Sequence, residues 1–175
     1  LVFIAIPTIQ TIFKTAEVPT DNPLVIEVTG HQWWWEFRYP EYNLVTAGDM
    51  HVPTGRTVDL RMTTGDVVHS FWTPQLAGKR DVFPGRDNRL WFRTETAGVY
   101  PGQCAEFCGL DHWRMNFTVR VVSAAEYEAW LARQQGSGEE GRAGAVLGTF
   151  RDSAGRDYAM VVNRDYRDAQ TVVVK

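Results

Sequence analysis

An all-β sandwich or barrel is the fold this sequence predicts, and three observations carry that expectation. Short runs alternate apolar and polar residues with a period of two. Gly and Pro punctuate them at Pro53-Thr-Gly55, Pro84-Gly85 and Pro101-Gly102. Only one segment beyond the amino-terminal run has a clear helical signature. Many short strands separated by such turns argue for a sandwich or barrel. Leu24, Ile26 and Val28 fall on one face of a first strand, and Val58, Leu60 and Met62 on one face of another. Leu90 with Phe92, and Phe117 with Val119 and Val121, repeat the pattern. The helix begins at Ser123, where Ser123 and Glu126 form a capping box that satisfies two orphan amides reciprocally. Residues 124–135 then lack Pro and Gly, and Tyr127, Trp130 and Leu131 recur at helical spacing to dock on the sandwich.

The flanks read differently. Residues 1–13 are mostly apolar and end at Lys14. A spanning helix needs about 20 apolar residues, and a signal peptide needs a basic start that is missing here. The run is expected to be the end of a transmembrane helix (residues 1–14), with an amino-terminal strand or buried helix as the alternative. Residues 15–23 read as a linker, 24–135 as the main domain, and 136–141 as a flexible acidic linker. Residues 142–175 are a β-rich tail of unassigned role, with strands expected at 145–151, 157–163 and 171–175 and turns at 153–155 and 164–169. The tail is too short for a convincing core of its own.

Composition narrows the function. With 175 residues and 44% apolar content the chain can build one real core. Its net charge of −3 supplies no basic field for nucleic acid. The only cysteines are Cys104 and Cys108. Their three-residue gap excludes a Cys-x-x-Cys redox motif, and no Cys-x-x-Cys-His occurs to attach haem.

The chemistry concentrates in Cys104-Ala-Glu-Phe-Cys-Gly-Leu-Asp-His-Trp-Arg-Met115, with His69 upstream in Val-Val-His-Ser-Phe-Trp. Two thiols, two imidazoles and a thioether form a set that selects copper. One thiolate would suit a mononuclear site. Two bridging thiolates can hold two copper ions, one histidine capping each, with Met115 as a weak ligand to one and a backbone carbonyl completing the other. Sharing charge over two metals and two sulfurs spreads the geometric change on reduction, and a β-scaffold fixes the ligands in advance. Zinc is the alternative metal, since Cys2His2 is a common zinc set. Its loop spacing is atypical, and zinc leaves Met115 unexplained. A disulfide between the cysteines is the other alternative.

Four segments extend this pattern: Gly30-His-Gln-Trp-Trp-Trp-Glu-Phe, Asp66-Val-Val-His-Ser-Phe-Trp, Lys79-Arg-Asp-Val-Phe-Pro-Gly and Gly102-Gln-Cys-Ala-Glu-Phe-Cys-Gly-Leu-Asp-His. With them, residues 1–135 resemble the copper A domain of cytochrome c oxidase subunit II, in the haem-copper oxidase family. The resemblance implies a cupredoxin-like Greek-key sandwich. It implies copper ligands His69, Cys104, Cys108, His112, Met115 and the main-chain oxygen of Glu106. It implies electron transfer from cytochrome c through two copper ions to haem in subunit I, where oxygen is reduced and protons are pumped. The Glu106 carboxylate matches a position that contributes to a magnesium or manganese site shared with subunit I. Trp33 matches the residue at which electrons arrive, and Asp66 an acidic docking position for cytochrome c. Arg80 and Asp81 would face subunit I. The implied location is the bacterial plasma membrane with the copper domain in the periplasm, or the intermembrane-space face of the mitochondrial inner membrane.

Strand alternation disagrees on Trp33: it groups Trp33 with Trp35, Phe37 and Tyr39 and so buries it, while exposing Trp34; a start-of-strand position can escape the alternation, so the resemblance is followed for Trp33. Trp35 is expected in the core, and His31 and His51 are expected to be structural. As a lone surface acid, Asp66 would contribute modestly to docking. The sequence departs from the family at Asn116, where a proline commonly follows the ligand methionine. Its tail lacks the haem motif of relatives with a fused cytochrome c. Two further functions remain in competition. One is a copper A domain of another reductase, such as nitrous oxide reductase. The other is a non-redox β-domain held by zinc or a disulfide.

Overall fold

A computed structural model describes residues 1–19, 21–136, 145–151, 157–163 and 172–174. Ten strands build two five-stranded sheets. The first contains, in spatial order, β3 (Leu44–Ala47), β2 (Trp34–Tyr39), β1 (Leu24–His31), β5 (Val58–Thr64) and β8 (Asn88–Phe92). The second contains β4 (Asp49–Pro53), β10 (Asn116–Val122), β9 (Gly98–Cys104), β6 (His69–Trp72) and β7 (Lys79–Val82). β1 runs parallel to β5, and β10 parallel to β4, while the other neighbours are antiparallel. The chain changes sheets at Gly48, whose N–H donates to Trp35 O at 3.0 Å and whose carbonyl accepts from Thr118 N at 2.8 Å.

The core lies between the sheets, as the alternation predicts. Leu24, Ile26 and Val28 of β1 face inward with Trp35, Phe37 and Tyr39 of β2, and meet Met50, Val52, Phe71, Phe117, Val119 and Val121 from the second sheet. Their neighbours on each strand alternate outward. β5 breaks the rule: Asp59 points away from the core yet is buried, because Arg89 clamps it through two N–H donors at 3.1 and 2.6 Å.

Helix α2 (Ala124–Gly136) starts where the capping box places it. Glu126 N–H donates to Ser123 Oγ at 3.3 Å, and Ser123 N–H donates to Glu126 Oε2 at 3.0 Å. Tyr127, Trp130 and Leu131 form its buried face. Trp130 stacks on His51 with ring centroids 4.4 Å apart and meets Tyr39 at 5.5 Å. His51 thus packs between the second sheet and α2, and His31 stacks on Trp34 at 4.4 Å.

At the amino end, α1 (Val2–Ala16) is helical, and the strand alternative is excluded. No helix among the described residues is long and apolar enough to cross a membrane. None of its residues is buried; Leu1, Phe3, Ile4 and Phe13 are exposed, and Trp91 Nε1 donates to Thr15 O at 2.9 Å near its last turn. In the tail, β11 (Ala145–Arg151), β12 (Asp157–Asn163) and β13 (Val172–Val174) form a separate antiparallel sheet. The expected turns at 153–155 and 164–169 and the linker beyond Gly136 lie outside the described residues.

Candidate metal centre

The candidate ligands converge at one end of the sandwich. Cys104 ends β9 and Met115 immediately precedes β10, so residues 105–115 form the loop of a hairpin between adjacent strands. Cys104 N–H donates to Met115 O at 2.9 Å and closes that loop at its base. Ala105 N–H donates to Ser70 O at 2.9 Å, which ties the loop to β6 and brings His69 alongside.

The thiols are buried and free, with Sγ atoms 3.9 Å apart, nearly twice the length of a disulfide bond. Each faces its own imidazole through Nδ1: Cys104 Sγ is 3.8 Å from His69, and Cys108 Sγ is 3.4 Å from His112. Met115 Sδ is fully buried 3.7 Å from Cys108 Sγ. On the other side, the carbonyl of Glu106 lies 3.3 Å from Cys104 Sγ. His69, Cys104 and Cys108 offer donor atoms all within 4.8 Å of one another. This donor set fits soft-metal binding: two buried sulfurs, each flanked by one imidazole and one weaker donor.

Asp66 is the principal surprise. It is not a lone surface acid, because its Oδ1 lies 2.8 Å from His69 Nε2. It also accepts from Val67 N at 2.6 Å, Gln32 N at 2.7 Å and Thr64 Oγ1 at 3.2 Å. A carboxylate on the far nitrogen of a ligand histidine fixes its tautomer and ring orientation, leaving Nδ1 free to ligate. Burial opposes the Asp66 charge, but hydrogen bonds from His69, Val67 and Gln32 hold it below the ordinary carboxylate range. Burial likewise opposes protonation of His69, and its contacts with Cys104 and Asp66 outweigh that and raise it. The thiols divide in the same way. Burial raises Cys104, but His69 and the backbone at Ser70 and Glu106 bring it below an ordinary thiol; burial and the Cys104 charge push Cys108 up.

Gly30 permits this packing. A Cβ there would stand 2.9 Å from His69 Cδ2, so a side chain would displace the ring.

Trp33 escapes the alternation that would have buried it. β2 begins at Trp34, and Trp33 sits in the β1–β2 turn, half-buried, with Nε1 donating to Cys108 O at 3.1 Å. Trp35 is fully buried, as expected. The Glu106 side chain is exposed. Asp81 accepts from Ser70 Oγ at 2.7 Å, and Arg80 is exposed. Sequence reasoning missed Gln32, although it adjoins Trp33; Asp66 is exposed, as a surface acid should be, and its contact with His69 three residues on was not foreseen.

Comparison with known proteins agrees with this fold. Cytochrome c oxidase subunit 2 of Alkalihalophilus pseudofirmus is 39% identical over 145 residues, covering 80% of this chain and 42% of that protein. The Synechocystis protein of the same name is 45% identical over 111 residues, covering 63% of this chain and 33% of its own length. This chain thus spans less than half of either relative. The crystal structure of the periplasmic domain of subunit II of cytochrome oxidase (CoxB) of Bradyrhizobium japonicum superposes with a TM-score of 0.65 at 31% identity. It covers 69% of this chain and 99% of that domain. Fold and site together define a cupredoxin-like domain with a sulfur–imidazole cluster that could hold a metal. Residues 43–122 match the family model for the periplasmic domain of cytochrome c oxidase subunit II, and the chain belongs to that family.

Proposed function

We propose that this chain carries the binuclear copper A centre of a cytochrome c oxidase, taking electrons one at a time from cytochrome c and passing them toward haem in subunit I. The observation that carries the reading is the pairing of each buried thiol with its own imidazole Nδ1. Bound there, two copper ions supply a one-electron couple. Cys104, Cys108, His69 and His112 would hold them, with Met115 and the Glu106 carbonyl as weaker donors. The closed hairpin, tied to β6 through the Ala105 N–H and Ser70 carbonyl, would hold these atoms in place before metal arrives, which keeps the geometric change on electron transfer small.

Trp33 links the surface to the ligand loop through its hydrogen bond to Cys108 O. Phe107, Leu110 and Trp113 expose 76, 89 and 65% of their surface on that same loop, which supports apolar contact with redox partners. Asp66 serves His69 first, and its docking contribution to cytochrome c is modest. The exposed Glu106 carboxylate would contribute to a magnesium or manganese site shared with subunit I. Oxygen reduction and proton pumping fall to subunit I, so this chain alone reduces no oxygen. The exposed apolar side chains of α1 support anchoring in an energy-coupling membrane, with the copper domain on its periplasmic or intermembrane-space face.

The test is to add equal amounts of copper(I) and copper(II) to the purified protein and record optical and EPR spectra. A purple species with one unpaired electron shared between two copper nuclei is expected. A colourless protein holding zinc in preference, or two oxidised cysteines, would overturn the reading.

A further inference from the structure

We propose that Gln32 is a positioning residue of the metal centre, joining the histidine of one half of the ligand set to the cysteine of the other. Its backbone N–H donates to Asp66 Oδ2 at 2.7 Å, and Asp66 in turn holds His69 Nε2. Its side-chain Nε2 donates to Cys108 O at 2.8 Å. One residue therefore ties Asp66, and through it His69, to Cys108, which lies 76 positions beyond Gln32 in the chain.

Cys108 is where such control matters most. Its sulfur touches Cys104, His112 and Met115, so rotation of its peptide would disturb three donors together. Its carbonyl receives Trp33 Nε1 at 3.1 Å as well as Gln32, filling both lone pairs. The loop is shaped for this double donation. Gly109, next in the chain, has φ +118°, and a Cβ there would lie 3.1 Å from both Gln32 Nε2 and Trp33 Cζ2. Any side chain at Gly109 would press on both donors, besides straining the backbone. Gln32 itself is exposed, so its role lies in the bonds it makes rather than in buried surface. Partners outside the ligand shell orient the ligands and tune the metal in this way.

This inference rests on the copper reading above, and the experiment separates the two. The 175-residue chain is loaded with equal copper(I) and copper(II) as wild type, Gln32→Met, Gly109→Ala and the exposed control Gln75→Met. Gln32→Met keeps length and removes both side-chain donors. Expected are shifted visible bands, altered copper hyperfine splitting and roughly tenfold faster loss of copper to a chelator. The unfolding midpoint of the copper-free protein should match wild type, and the control should behave as wild type. Gly109→Ala should shift the spectrum in the same direction. Wild-type spectra and wild-type copper retention in Gln32→Met overturn the positioning role alone. Absence of the delocalised spectrum in the wild type overturns the copper reading, and this inference with it.

Discussion

His69 Nε2 lies 2.8 Å from Asp66 Oδ1, while His69 Nδ1 faces Cys104 Sγ at 3.8 Å. The two nitrogens of one ring thus serve a carboxylate and a thiol, and the tautomer is set by the carboxylate. Replacing Asp66 with Asn keeps the shape and removes the charge that favours Nε2–H. Asp66→Asn should lower copper affinity by roughly ten- to a hundredfold. Competition with a chelator of known affinity measures the change; unchanged affinity would show that the ring needs no such partner.

Trp33 predicts a separation of two properties. Trp33→Phe keeps an aromatic ring but removes the N–H bound to Cys108 O, a carbonyl that Gln32 still holds. The rate of electron arrival from cytochrome c should fall, while the copper bands shift less than in Gln32→Met, because Gln32 still links Cys108 to Asp66. Stopped-flow mixing with reduced cytochrome c decides it, and an unaltered rate would remove Trp33 from the path.

Ser123 predicts a purely structural effect. Ser123→Ala abolishes the hydroxyl that accepts Glu126 N–H at the start of α2. Loss of such a cap costs about 1 kcal/mol. Urea unfolding of the copper-free protein should show that loss, and copper binding should be unaffected because α2 packs on Tyr39 and His51, away from the ligand loop.

His51 predicts a pH dependence. Burial against Trp130 brings its pKa down to about 4 from an ordinary value near 6.5; Asp49 works the other way, and Arg120 and Arg133 reinforce the fall. The unfolded chain therefore takes up a proton that the folded chain refuses between those values. Stability should decline as pH falls from about 6.5 toward 4. His51→Phe keeps a stacking ring and should flatten that part of the profile, as followed by thermal unfolding across the pH range.

Much of the architecture was legible because strand alternation is local. The inward faces of β1 and β10, the start of α2 at Ser123 and the hairpin between Cys104 and Met115 all follow from short-range patterns. Local patterns also misled. Alternation extended one residue too far placed Trp33 in the core, because nothing in the apolar run marks the turn before Trp34. Asp59 carries an outward, polar signature and is buried by a guanidinium 30 positions away.

The sequence by itself determined the donor chemistry of this protein. Four sulfur and imidazole donors within residues 104–115 bring most of a soft-metal site with them wherever that loop goes. Only the tertiary structure decided how the site is completed and held. His69 reaches Cys104 from 35 positions away, the exposed Asp66 becomes the partner of His69, and Gln32 binds the two halves together. The reason is physical. A ligand loop is a matter of spacing along the chain, whereas a hydrogen bond of under 3 Å between loops of different sheets exists only once the sheets have packed.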